Sequence, residues 1–447
     1  MPELTYPAEL PILPVTNPAN GIVTVPGSKS ITNRALVLAA LASRQSVSND
    51  GTCTLVGALR SEDTEVMIDC LRRLGFRIDT DWEQNRLTVH PNHSGRLIPA
   101  AQADLFVANS GTTMRFLAAM VSAGQGEYRL DGVPRMRERP IEDLLEALRQ
   151  LGVDAQSENN NGCPPIRIRT TGLRGGEVRV RADVSSQFVS GLMMAAAYAR
   201  GDVTIRIVGR RVSEPYIRMT EAMMGADWLI TFTAIGPEVY TIPAAARIQG
   251  PREYPVEPDA SAASYFWAAA AITGGAVTVR GFRDKFGSLQ GDLRFVRVLE
   301  EMGCQVLSHD AGLTVRGGPL RGVDVDMNDI SDTVMTLAAV ACFADGPTTI
   351  RNVAHIRHKE TDRIAALATE LRKLGAAVEE HRDGLTITPR PLHGCALDTY
   401  NDHRMAMSLA LIGLKVPGVV IRNPGCVAKT YPGFWQDFER LRCDSAG

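Results

Sequence analysis

Apolar and polar positions along this chain repeat at intervals of 70 to 80 residues. Six times a short polar cluster opens an apolar, alanine-rich run. The runs are SITNRALVLAALA from Ser30, SGTTMRFLAAMV from Ser110, SSQFVSGLMMAAA from Ser185, DASAASYFWAAAA from Asp259, SDTVMTLAAVACF from Ser331 and NDHRMAMSLALIG from Asn401. Each pattern predicts a buried helix capped by its opening Ser, Asp or Asn, whose side chain accepts bonds from otherwise unpartnered backbone N–H groups. Arg34, Arg115 and Arg404 fall a few residues inside three openings, and Lys29 just before one. Cations beside free N–H donors favour anions, so the repeat points to a binder of small, multiply charged anions.

A second helix completes each unit. DTEVMIDCLRRLG, IEDLLEALRQLG, IRMTEAMMG, DLRFVRVLEEMG and IAALATELRKLG are amphipathic and end at Gly75, Gly152, Gly225, Gly303 and Gly375, spaced 77, 73, 78 and 72 residues apart. A glycine there predicts a left-handed C-cap, and the β-type segments FRIDT, VDAQS, CQVLS and AAVEE follow four of them. FWQDFERLR resembles a truncated sixth copy. A length of 447 residues alone suggests about three domains, but the repeat favours two three-unit halves of α/β character. GIVTVPGSKS opens the first unit, and IQGPREYPVEPDASAAS, with Pro251, Pro255 and Pro258, reads as an extended crossover from the third to the fourth. SENNNGCPPIR reads as a surface loop.

Composition narrows the class. Hydrophobic content of 45% and a net charge of −2 fit an ordered globular core and argue against general polyanion binding. Eight scattered cysteines without a CxxC pair point to reduced thiols and a cytoplasmic home. MPELTYPAELPILP lacks the pattern of a signal peptide, and ASAASYFWAAAAITGGAV reads as a core helix rather than a membrane span.

The chemistry gathers at the openings. In PGSKSITNR, Lys29 offers a compact cation, Ser30 a hydroxyl and Arg34 a fork matched to phosphate or carboxylate; the GxxxxGK[ST] spacing of a nucleotide loop is missing. NSGTTMRF brings Asn109, Gly111, Thr112 and Arg115, with Gly111 allowing close backbone approach. VPRMRERPIEDLL adds Arg135, Arg137 and Arg139; a salt-bridged surface with Glu138, Glu142 and Asp143 accounts for one of the first two. NDISDTVMT puts Asp332 at a helix start, and HIRHKETDRIAAL gives His355, Lys359, Glu360, Asp362 and Arg363, with Lys359 and Glu360 pointing apart on a helix. YNDHRMAM adds Asp402, His403 and Arg404, and VAKTYPGFW adds Lys429. Lysine and carboxylates in a site closed to water are equipment for proton transfer.

Taken in order from Gly21 to Phe434, PGSKSITNR, NSGTTMR, RMRERPI, SSQF, DASAASYF, SLQGD, NDISD, HKETDR, YNDHRMAM and AKTYPGFW resemble the EPSP synthase (3-phosphoshikimate 1-carboxyvinyltransferase) family. The resemblance implies two inside-out α/β barrels, each of three βαβαββ repeats and hinged by two crossovers. The implied division is 28–257 for the shikimate 3-phosphate half and 1–27 with 258–447 for the half carrying the catalytic carboxylates, the site lying in a cleft between them. The implied reaction moves the enolpyruvyl group of phosphoenolpyruvate to the 5-hydroxyl of shikimate 3-phosphate and releases phosphate.

By motif, the resemblance assigns Lys29, Ser30, Arg34, Ser185, Ser186, Gln187 and Ser213 to shikimate 3-phosphate, with Tyr216 nearby and His355 as a weaker candidate. Lys29, Gly111, Arg139, Gln187, Arg363, Arg404 and Lys429 fall to phosphoenolpyruvate. Asp332 and Lys359 go to the reacting hydroxyl, as acceptor contacts and proton-transfer groups, and Glu360 to the methylene carbon; swapped roles stay open. Ser110 and Phe116 depart from an alanine and a proline common there, which leaves the response to glyphosate open. No nucleotide motif or metal cluster appears in the sequence, so no cofactor is expected; a monomer is the default because the apolar helices are consumed by the two cores, and no nucleic-acid or membrane partner is expected.

Three other readings compete. The sister transferase family acting on UDP-N-acetylglucosamine shares fold and donor but carries a reactive cysteine in a loop of its second unit. Here no cysteine lies between Cys70 and Cys163, and VPRMRERP fills that loop. A non-catalytic phosphometabolite sensor would keep the cleft and lose the proton-transfer groups, yet Asp332, Lys359 and Glu360 are all present. An RNA-end-processing enzyme on a related repeat would need a nucleotide site and a histidine that accepts adenylate, and no motif suggests either.

Overall fold

One short sheet pattern recurs throughout the chain. In the computed structural model, which describes residues 5–43, 51–244, 249–284 and 287–443, a parallel strand pair is extended on one side by an antiparallel hairpin. Gln102–Phe106 runs parallel to Gly126–Asp131, which pairs antiparallel with Ile166–Thr170 and through it with Asp154–Ser157. With the helices Gly111–Ser122 and Glu142–Gln150 between its strands, this unit is βαβαββ in chain order. Among the described residues five sheets have four strands and follow this plan, and a sixth has three.

Backbone contacts divide the chain into two units, Gly27–Val256 and Met1–Pro26 with Glu257–Gly447. In the first unit, the sheet around Cys53–Val56 takes its parallel partner from Glu253–Pro255, in the connector rich in proline. Ile248, the first residue of that connector, lies outside the described residues. In the second unit, Ala276–Val279 takes its parallel partner from Asn20–Val23, and Glu9–Pro11 completes the three-stranded sheet against Val420–Arg422. Both units are thus fastened by strands from distant stretches of chain.

The apolar runs form the inner helices. Gly111–Ser122 is buried at every position, and Ala260–Thr273 at all but its last residue. Small side chains are needed because neighbours crowd every face: a Cβ on Gly191 would lie 3.1 Å from the Arg115 carbonyl and 3.2 Å from the Ala119 Cβ. In the second unit, Ser264, Thr336 and Ser408 occur at intervals of 72 residues on three inner helices. Their hydroxyls meet at 3.1 and 3.4 Å. Among the described residues no helix is long and apolar enough to cross a membrane.

The cap positions are partly corrected. Ser110, Ser185 and Asp259 cap their helices through the side chain. Ser30 lies inside Lys29–Ala42, whose N-cap is Ser28. Ser331 sits in a 3-10 turn, Asn328–Thr333, ahead of the helix Val334–Ala341. Asn401 yields to Asp402, which accepts from the Arg404 N–H. Asp332 therefore belongs to the 3-10 turn rather than a helix start, and Lys359 and Glu360 lie between the 3-10 turn Ala354–His358 and the helix Arg363–Lys373, not on a helix. Asp362 caps that helix, which fixes its start beyond Glu360. Gly75, Gly152, Gly303 and Gly375 are left-handed, but Gly225 lies in the π-helical turn Met223–Asp227.

Candidate active site

Arg363 gathers the carboxylates of the second unit. It opens the helix Arg363–Lys373, and its side chain is 1% exposed. Nε donates to Asp402 Oδ2 at 2.8 Å, Nη1 to Asp332 Oδ1 at 3.2 Å and Nη2 to Glu360 Oε2 at 2.9 Å. Arg404, in the first turn of His403–Gly413, donates through Nη2 to Asp332 Oδ2 at 2.7 Å. Asp332 thus bridges two guanidinium groups, and Arg363 ties it to Glu360. Burial opposes the Arg363 cation, but the charges of Asp402, Glu360 and Asp332 outweigh it and hold the group above its ordinary value. A buried cation tolerates this only with several partners in good geometry, which the three carboxylates supply.

Asp292 lies behind this cluster. Its carboxyl accepts from Ser261 Oγ, and burial, with the nearby Asp332 charge, pushes it up to about 6. Tyr265 reaches Arg404 Nη1 through its hydroxyl oxygen at 3.5 Å. His355 is buried in the 3-10 turn Ala354–His358, Lys429 is buried at the end of Pro424–Lys429, and Lys359 is half-buried.

The first unit holds a buried arginine with neutral partners. Arg34 Nε donates to Thr220 Oγ1 at 2.7 Å, Nη1 to the Ser30 carbonyl at 3.0 Å, and Nη2 to the Tyr216 carbonyl at 3.0 Å and Ser190 Oγ at 3.3 Å. Four of its five N–H groups are committed this way, leaving one on Nη1. The guanidinium also lies over the rings of Phe116, 5.0 Å away, and Tyr216, 5.8 Å away. Burial lowers its pKa to about 10. No carboxylate among the described residues pairs with Arg34, so the cation is stabilised by dipoles and rings and suits an incoming anion.

Two more guanidinium groups converge on Gly111. A Cβ there would lie 2.4 Å from Arg115 Nη1 and 2.5 Å from Arg139 Nη2. Arg139 Nη1 donates to the Asn109 carbonyl at 2.9 Å and its side-chain oxygen at 3.2 Å. Arg115 Nη1 donates to Gln187 Oε1 at 3.1 Å, while Gln187 Nε2 reaches Thr112 Oγ1 at 3.4 Å. Lys29 pairs with the buried carboxylate of Asp63 at 3.3 Å. Ser185 accepts from the Gln187 N–H, Ser186 follows in the same helix, and Ser213 is buried with a left-handed backbone.

The structure therefore brings Arg139 to Gly111 and Gln187 to Arg115 in one unit, and joins Asp332, Glu360, Arg363 and Arg404 through their side chains in the other. Arg135 pairs with Glu138 on the surface, and the half-exposed Arg137 pairs with the buried Asp131. Sequence reasoning did not assign roles to Asp63, Ser190, Thr220 or Tyr265. It noted Arg115 and Asp402 without giving them a partner. Asp402 carried a signal, since it directly precedes the helix of Arg404.

Comparison with known proteins matches the sequence and the fold to the same family. The sequence profile of EPSP synthase (3-phosphoshikimate 1-carboxyvinyltransferase) matches residues 15–438. The chain is 48% identical over 431 residues to 3-phosphoshikimate 1-carboxyvinyltransferase of Trichormus variabilis, covering 96% of this chain and 98% of that one. With the chloroplastic enzyme of Arabidopsis thaliana it shares 44% over 439 residues, covering 94% and 82%. The solved EPSP synthase of Acinetobacter baumannii superposes with a TM-score of 0.78 at 25% identity, covering 97% and 98%. With a matching profile from residue 15 to residue 438 and relatives this similar over nearly their entire length, the chain belongs to the EPSP synthase family.

Proposed function

We infer that the chain transfers the enolpyruvyl group of phosphoenolpyruvate to the 5-hydroxyl of shikimate 3-phosphate, a step of aromatic amino-acid biosynthesis. In the addition, the 5-oxygen bonds to C2 of phosphoenolpyruvate, the hydroxyl loses its proton and the methylene C3 gains one. In the elimination, C3 gives a proton back and the C2–O bond to phosphate breaks. Each half needs a group that accepts a proton and a group that donates one.

The observation that carries this reading is the sharing of Arg363 by Asp332 and Glu360, at 3.2 and 2.9 Å. Two carboxylates held on one buried cation suit two proton transfers at adjacent positions, which a sensor would not need. In this reading Asp332 with Lys359 serves the hydroxyl and Glu360 serves the methylene carbon. Arg363, Arg404 and Lys429, with Lys29, Gly111, Arg139 and Gln187, hold phosphoenolpyruvate. Lys29, Ser30, Arg34, Ser185, Ser186, Gln187 and Ser213 hold shikimate 3-phosphate, with His355, Asp332 and Lys359. The cations offset the four anionic groups of the two substrates. We further infer a cytoplasmic monomer.

The test is phosphate release from phosphoenolpyruvate by the purified protein, with shikimate 3-phosphate, with UDP-N-acetylglucosamine, or with neither. Release that requires shikimate 3-phosphate is expected. Release that instead follows UDP-N-acetylglucosamine would reassign the acceptor, and tight binding without release would turn the protein into a sensor.

A further inference from the structure

Glu370 is a buried carboxylate on the same helix as Arg363, seven residues further on. That spacing is two helical turns, so both side chains leave the same face. Both are bonded to a single short stretch, residues 398–402. At one end Arg363 grips Asp402. At the other, Glu370 Oε2 accepts from the Asp398 backbone N–H at 3.0 Å and Oε1 accepts from the Tyr400 hydroxyl at 2.6 Å. Lys373 Nζ donates to both Glu370 oxygens, at 2.9 and 3.0 Å, and supplies the countercharge.

The stretch so held is strained. Tyr400 and Asn401 both have φ of 54°, two successive left-handed residues that are not glycine. Such conformations persist only where the surroundings over-determine them. Here the determinants are visible: Glu370 holds both Asp398 and Tyr400, Asn423 Nδ2 donates to Asn401 Oδ1 at 3.1 Å, and the Asp402 N–H donates to the Thr399 carbonyl at 2.8 Å. The outcome is the placement of Asp402, which caps the helix of Arg404 and meets Arg363 with both oxygens.

We propose that Glu370 is a positioning residue: by clamping Asp398 and Tyr400 it sets the strained turn that aims Asp402, and through Asp402 it fixes Arg363 and Arg404. It touches no reacting atom. Glutamine is a poor replacement, because it gives up the charge opposite Lys373 and turns one of the two oxygens that accept from Lys373 Nζ into an NH2 group, which cannot accept. The kinetic part rests on the enolpyruvyl-transfer reading, in which Arg363 and Arg404 hold phosphoenolpyruvate.

The experiment compares Glu370→Gln and Tyr400→Phe with the unmodified protein, using Arg422→Gln as control. Arg422 pairs with Asp398 and Glu9 on the surface and leaves the Glu370 contacts alone. Tyr400→Phe removes one bond from a half-exposed side chain and keeps the test alive if Glu370→Gln does not fold. Two readouts are taken: hydrogen exchange of peptides covering residues 398–404, and KM for each substrate varied separately.

Expected are faster exchange confined to that stretch and a rise of about tenfold in KM for phosphoenolpyruvate, with KM for shikimate 3-phosphate within about twofold. Arg422→Gln should match the unmodified protein in both. Unchanged exchange at 398–404, exchange that speeds equally throughout the unit, or an equal rise in both KM values would overturn the proposal. Failure of the unmodified protein to turn over would sink the functional reading alone, because exchange reports the clamp without any reaction.

Discussion

Asp332 and Arg404 lie 72 residues apart in sequence and meet at 2.7 Å, one interval of the inner-helix repeat. Arg363 holds the other oxygen of the same carboxylate. The group assigned to the hydroxyl proton is therefore also a countercharge of Arg363 and Arg404, two of the three arginines that hold phosphoenolpyruvate in our reading. Asp332→Asn would remove the proton acceptor and release charge on those arginines at once. Turnover is expected to fall by a factor on the order of 100 to 10,000, with KM for phosphoenolpyruvate unchanged or lower. Phosphate release measured across a range of both substrates separates the two effects. Turnover that stays nearly intact would remove Asp332 from the proton-transfer role.

Gly111 has ordinary helical geometry, so its lack of a Cβ serves the space above it rather than the backbone. Arg115 and Arg139 fill that space, within 2.4 and 2.5 Å of where a Cβ would sit. Both contacts are flexible guanidinium ends, so Gly111→Ala should fold without loss of Tm while pushing both cations aside. KM for phosphoenolpyruvate is expected to rise about tenfold, and KM for shikimate 3-phosphate to change little. A variant whose two KM values both match the parent would show that the position of these guanidinium ends does not matter for binding.

The repeat was legible because burial acts on periodicity, and the inner helices are buried all round. Their exact starts were less legible. Whether Ser28 or Ser30 caps a helix depends on which residue first leaves extended geometry, and both are serines in one short motif. Lys359 and Glu360 looked helical because HIRHKETDRIAAL runs into a helix without a break in polarity. Only the capping bond of Asp362 to the Ala365 N–H fixes the start. The ion pairs were hidden for a different reason. Lys29 with Asp63, and Arg363 with Asp402, are joined by tertiary packing over 34 and 39 residues, and no local pattern encodes such a choice of partner.

Asp292 gives the protein a pH signature. Its ordinary value is 3.8, and in the folded chain burial and the Asp332 charge raise it to about 6. Between these values the folded chain holds a proton that the unfolded chain has lost. Stability from this group is complete below 3.8, declines as pH rises, and is gone above about 6. The span corresponds to about 3 kcal/mol at most. Asp292→Asn stays neutral and can still accept from Ser261 Oγ. Its Tm relative to the parent should therefore climb between about pH 4 and 6 and stay level above that. A difference in Tm that does not vary over that range would show that Asp292 titrates alike in both states.

Phe116 gives the last test, because it couples packing to charge. Its ring is fully buried on the helix that begins at Gly111, and the Arg34 guanidinium lies 5.0 Å from its centre. Arg34 has no carboxylate partner among the described residues, so ring faces and neutral oxygens carry what a countercharge otherwise would. A cation over a ring in a dry site is worth roughly 0.5–2 kcal/mol. Phe116→Leu keeps the site apolar but removes the ring face, leaving Arg34 less firmly oriented toward an incoming anion. KM for shikimate 3-phosphate should rise about fivefold, the equivalent of about 1 kcal/mol, while KM for phosphoenolpyruvate stays within about twofold. Tm should fall slightly from the lost packing, and Phe116→Tyr, which keeps a ring, should restore the shikimate 3-phosphate KM even if Tm stays low. If the leucine variant lowers Tm and leaves both KM values alone, the ring packs the core without steering Arg34.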